Sequence, residues 1–141
     1  NDFITKKAWL LKVIELLKER CKKLTDFVDL GKYFFTAEYE YEEKALEKQF
    51  NSVEVASRLT KLGEKFKNLD GFDKEKSENL VRNLATDLNL KPAELIHPLR
   101  LAITGMSFGP SLFEIVELLG KEEVVKRLQK AVEFINRKFG S

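Results

Sequence analysis

The sequence predicts an all-α fold, a bundle of about seven to eight helices, on three observations. Apolar residues return in steps of three and four along three long segments. No segment keeps an apolar–polar alternation between hairpin turns. The stretches between periodic segments are short, which favours antiparallel neighbours.

Leu10, Ile14, Leu17, Cys21 and Leu24 share one helical face, giving a helix from an N-cap at Thr5 to about Lys23. The stretch YFFTAEYEYEEK reads as an aromatic connection into a short helix over residues 42–49. Val55, Leu59, Leu62, Phe66 and Leu69 mark the second long helix, and Val125, Leu128, Val132, Ile135 and Phe139 the third. Between them, Leu80, Val81, Leu84 and Leu88 follow Asp73, a good N-cap, in a fourth helix. PAELIHPLRLAIT and PSLFEIVELLG are two shorter helices parted by GMSFG, with Pro110 expected at the first position of the second and Gly120 ending it. The cut between two packed subdomains is expected near QFNSVE, giving residues 1–50 and 51–141.

Composition excludes several classes. A chain of 141 residues, 43% hydrophobic and 34% charged, is neither disordered nor a membrane protein. It is long enough to bury a core, and a net charge of +2 is too small for a nonspecific DNA binder. The middle is acidic and both ends mildly basic. One cysteine demands no oxidising compartment, so we expect a cytoplasmic protein. The start in mid-pattern at NDFITKK, without an initiator Met, leads us to expect a piece of a longer protein.

Catalytic chemistry is hard to build here. The single histidine, His97, precedes Pro98 inside an apolar helix and reads as a packing or hydrogen-bonding residue. Metal-ligand clusters, a phosphate-cradling glycine loop and a nucleophile motif are missing from the sequence. Glu42–Glu43 and Glu122–Glu123 are sequence neighbours, so they read as helix N-terminal charge and solvated surface. Cys21 lies on an apolar stripe and reads as inert core.

The most specific passage is HPLRLAITGMSFGPSLFEIVELLGKEEVVKRL. It resembles the carboxy-terminal signature of bacterial-type glutamyl-tRNA synthetases through Pro98-Leu99-Arg100, Ala102, Thr104-Gly105, Pro110, Leu112-Phe113-Glu114 and Leu118 through Glu122. Upstream, LLKVIELLKERCKKLTDFVDLGKYFF is similar to the start of the same family's anticodon-binding region. The likeness covers essentially the whole chain, strongest over 95–128 and loosest over 39–72. It implies a helical domain that binds the anticodon arm of glutamate tRNA. A class I catalytic domain in the same chain would then attach glutamate using ATP with Mg. The family's catalytic signatures, His-Ile-Gly-His and Lys-Met-Ser-Lys-Ser, have no counterpart here. This chain alone should therefore hold no cofactor or metal and perform no chemistry. It is expected to be a monomer with no DNA or membrane partner.

By the same resemblance, Arg100 and Arg82 face the anticodon, and Pro110 and Leu112 contact its bases. Gly109 and Ser111 depart from the family's usual hydroxyl residue before that proline and glycine after it. The position facing the first anticodon base lies among Arg20, Lys22 and Lys23. Arginine suits such work because its planar fork hydrogen-bonds a base edge and stacks on an unstacked nucleotide. Two other readings compete. One is a helical protein-interaction module anchored by exposed Tyr33, Phe34, Phe35 and Tyr39; the other is a small helical enzyme.

Overall fold

The computed structural model describes residues 2–18, 32–36 and 38–140. These contain no strand. Seven helices follow in order: α1 (Asp2–Lys18), α2 (Glu43–Gln49), α3 (Val53–Lys67), α4 (Lys74–Asp87), α5 (Ala93–Thr104), α6 (Leu112–Leu119) and α7 (Lys121–Phe139). Residues 32–35 are also helical. The all-α expectation holds.

Local chemistry sets the helix ends. At the start of α4 the Asp73 carboxylate accepts from the Lys76 amide at 2.7 Å, the cap expected from sequence. The other end closes through Asn89 at φ 60°. Leu90 donates to the Ala85 carbonyl and Asn89 to that of Thr86, so two end carbonyls are satisfied. Before α5, the Glu94 carboxylate reaches back to the Lys91 amide at 2.8 Å. Pro98 sits inside α5 with its ring buried, and the helix runs on through Arg100 to Thr104.

Two helix starts differ from expectation. Thr5 lies within α1, which already begins at Asp2, so it is no N-cap. Pro110 precedes α6 by two residues: Ser111 is the N-cap and Leu112 opens the helix. Ser111 itself stands at φ −50° and ψ 123°, outside the helical region, so no helix can run through it from Pro110.

The core is one cluster reaching from Val13 to Ile135. α3 and α7 form its most extensive helix pair, α4 lies on α6, and α5 packs on α7 and α2. The α3 stripe is as expected: Val55, Leu59, Leu62 and Phe66 are buried. The α1 stripe is turned by one position, with Val13 and Leu17 inward and Leu10 and Ile14 exposed at 39% and 38%. Trp9 fixes that rotation by donating its indole N–H to the Leu118 carbonyl at the end of α6, 2.7 Å away. α7 is turned as well. It lies against both α3 and α5, so its buried arc runs through Val124, Arg127, Leu128, Ala131 and Ile135, leaving Val125 and Val132 at the edge and Phe139 exposed. Cys21 and Leu24 lie outside the described residues.

The aromatic connection is not an exposed anchor. Tyr33 and Phe34 are buried, and Tyr39 is half-buried with its hydroxyl donating to the Ala102 carbonyl at 2.6 Å. Only Phe35 of the four stands in solvent, its ring edge-on to Trp9. These rings are drawn inward because the connection crosses the C-terminal end of α5 and is hydrogen-bonded to it. His97, expected to be packed, is exposed on α5. Among the described residues no helix is long and apolar enough to cross a membrane.

Candidate nucleic-acid interface

The break between α5 and α6 is a rigid corner. Gly105 ends α5 at φ 77°, and its amide donates to the Leu101 carbonyl at 2.8 Å. A β-carbon there would stand 2.6 Å from both the Glu40 carbonyl oxygen and Tyr39 Cδ1, so only glycine fits. The Thr104 hydroxyl donates to the Arg100 carbonyl at 2.7 Å and accepts from the Met106 amide at 3.0 Å. One residue further, the Glu42 carboxylate accepts from the Ser107 amide at 3.2 Å and hydroxyl at 3.1 Å, while the Glu42 amide donates to the Gly105 carbonyl at 2.8 Å. Glu42 is therefore a staple for the corner and not the solvated charge its sequence position suggested.

The corner carries the expected residues in different ways. Arg100 is half-buried on α5, and a β-carbon on Gly109 would stand 3.2 Å from its Nη1 and 3.8 Å from Tyr33 Oη. Gly109 thus lets the chain cross closely over the guanidinium. Ser111 is exposed at the N-cap of α6, and its side chain makes no capping hydrogen bond to that first turn. Pro110 is buried, and Leu112 is only 4% exposed, a core side chain. Arg82 lies on α4, exposed, with its guanidinium on the Glu78 carboxylate at 3.1 Å. Arg20, Lys22 and Lys23 lie outside the described residues.

Two residues at the corner escaped the sequence reading. Phe108 is 53% exposed at the tip of the turn. Arg127 is 3% exposed inside α7 and holds the corner from behind. Its Nη1 donates to the Ile103 carbonyl at 2.7 Å, its Nη2 to the Thr36 carbonyl at 3.3 Å, and its Nε pairs with Glu123 at 2.9 Å. The guanidinium also lies over the Tyr39 ring, 5.2 Å from its centroid. Burial pushes the Tyr39 phenol well above its ordinary range, the Arg127 charge acting against that rise. Burial raises Tyr41 too, opposed by Arg137. The signal for Arg127 was its position: it falls between Val124 and Leu128 on the face that is truly buried.

A cleft of about 660 Å³ opens beside the corner, lined by Lys32, Tyr33, Tyr39, Met106 and Lys130 among others. Glu38 and Glu40 share its wall, so the lysine charge is balanced. The arrangement offers shape, a planar cation and an aromatic ring at Gly105–Ser111. It does not offer a strong field for phosphates.

Helices gathered around one core, with a glycine-built corner presenting arginine and aromatic groups, define an all-α domain of the binding kind. The chain belongs to the anticodon binding domain family, whose model matches residues 1–132. Similar proteins include a glutamate–tRNA ligase of Thermoanaerobacter pseudethanolicus, 42% identical over 129 residues, which are 92% of this chain and 27% of that protein. One from Chlorobaculum parvum is 38% identical over 137 residues, 96% of this chain and 27% of the relative. Among solved structures, a glutamate tRNA ligase from Elizabethkingia meningosepticum in complex with its amino acid superposes with a TM-score of 0.83 at 35% identity. That match covers 91% of this chain and 25% of the other. The chain spans about a quarter of the length of the relatives it matches.

Proposed function

We propose that this chain is the anticodon-binding portion of a glutamate–tRNA ligase and that its Gly105–Leu112 corner receives the anticodon loop of glutamate tRNA. The observation that carries the reading is the pattern of likeness: ligases match more than nine-tenths of this chain with only about a quarter of their own length. In this reading the remainder of the enzyme is a class I catalytic domain in the same polypeptide, working with ATP and Mg in the cytoplasm as a monomer.

The corner suits an unpaired loop. Bases in single-stranded loops are splayed out and read at their edges by planar donors, the kind of group that the half-buried Arg100 brings to this corner. Leu112 is buried, so its share is to hold the first turn of α6 in place, while Ser111 and the amides behind it meet the RNA. Arg82 would join from α4 by exchanging Glu78 for an RNA acceptor. Arg20, Lys22 and Lys23 remain the candidates for the first anticodon base.

Competition binding tests the reading. An anticodon stem-loop of glutamate tRNA should displace the whole tRNA from the 141-residue chain, and an acceptor-stem hairpin should not. The chain alone should give no glutamate-dependent exchange of pyrophosphate into ATP. Displacement by the acceptor hairpin only would assign the chain to the other end of the tRNA.

A further inference from the structure

We propose that Phe108 is a stacking platform for one unpaired base of the anticodon loop, the base whose edge Arg100 reads. The inference rests on the anticodon reading above and adds to it a residue outside the resemblance. Three observations carry it. First, a large ring 53% exposed follows directly on a pinned stretch of chain, because Thr104 holds the Met106 amide, Glu42 holds the Ser107 amide and hydroxyl, and Gly105 sits in a glycine-only contact, all on the residues just before Phe108. Second, no other ring among the described residues stacks on Phe108, in contrast to the exposed Phe35, which meets Trp9. Third, its neighbour Gly109 is the residue that crosses Arg100. With consecutive α-carbons about 3.8 Å apart, the root of the ring is one residue from the backbone that covers the guanidinium.

An aromatic face beside a planar donor is the pair that an unstacked base takes: the face replaces the stacking lost on leaving the loop, and the fork satisfies an edge. The stack is sequence-tolerant, since every base has a π-face, whereas the fork is not. Phe108 should therefore contribute affinity and Arg100 discrimination. A lone Phe on a protein-docking surface would show no such division.

The test uses the 141-residue chain and anticodon stem-loops of glutamate tRNA carrying 2-aminopurine at one unpaired loop position at a time. Quenching is expected at one position on binding. Phe108→Ala should abolish that quenching and weaken the stem-loop by roughly tenfold, about 1.4 kcal/mol. Phe108→Leu, which keeps bulk without a π-face, should behave like the alanine variant, and Phe108→Trp should retain both quenching and affinity. Because the ring is exposed, all three should melt close to the parent chain, and a melt of each checks this. Stem-loop binding by Phe108→Ala equal to the parent, with quenching intact, overturns the platform and leaves the anticodon reading standing. If the parent chain binds no stem-loop, the anticodon reading fails and the platform with it.

Discussion

Arg100 is the side chain through which one base preference would be read, and its surroundings make three roles separable. If it reads a base edge, Arg100→Ala in the full-length ligase should cost roughly 1–3 kcal/mol in tRNA recognition and relax discrimination at one anticodon position. Arg100→Lys should rescue little, because a point charge does not replace a planar fork. A phosphate contact would instead weaken every anticodon variant alike. A structural role would lower the melting temperature and leave base preference intact. Charging kinetics on single-base anticodon variants, beside a melt of each mutant, distinguish these outcomes. The contact between Arg100 and Gly109 was not itself readable in the sequence, since it depends on a φ of 152° that only the folded turn reveals. Phe108 was invisible for a related reason: a single ring in a turn has no periodicity. Arg127 was masked by the opposite effect, because an arginine on an amphipathic helix ordinarily lies in water.

Helices were easier to read than their rotation. Steps of three and four located α3, α4 and α7 because many apolar residues vote for one periodicity, and a cap such as Asp73 is a local signal. Which arc faces inward depends on partners that sequence does not name. α7, squeezed between α3 and α5, buries an arginine that its apolar stripe would have left outside. That arginine and Tyr39 form a joint that ties Thr36, α5 and α7 together. The joint should fail in alkali. Burial raises the folded phenol of Tyr39 above the ordinary value near 10, so its neutral form stabilises the fold fully below about pH 10, and that stability is lost as pH rises beyond it. Tyr41 acts in the same direction. Tyr39→Phe should lose about 1 kcal/mol at neutral pH with its hydrogen bond to Ala102, yet its melting temperature should fall less steeply above about pH 10. Parallel melting curves for the two proteins across that range would place the alkaline weakness elsewhere.

At the scale of the whole molecule, charge decides how the RNA is held. The chain has 25 basic and 23 acidic residues, a net charge of +2, and the cleft beside the corner matches its lysines with glutamates. Each phosphate neutralised in a complex adds about 0.7–0.9 to the slope of log affinity against log salt, and a protein gripping the backbone at six to ten phosphates loses about 10³–10⁵ in affinity between 50 and 200 mM salt. A nearly neutral surface with one arginine corner should make far fewer such contacts. For the anticodon stem-loop we therefore expect a slope no steeper than roughly −3, corresponding to about three or four phosphates. Base-dependent terms behave differently, since stacking and edge hydrogen bonds release few counterions. The loss caused by a wrong anticodon base should consequently stay nearly constant as salt rises, while total affinity falls gently. Titrations of the cognate stem-loop and a single-base variant at four or so salt concentrations measure both quantities. A slope near −6 or steeper would mean that the backbone carries the affinity, and would move the binding surface from the Gly105–Ser111 corner to a basic face elsewhere on the chain.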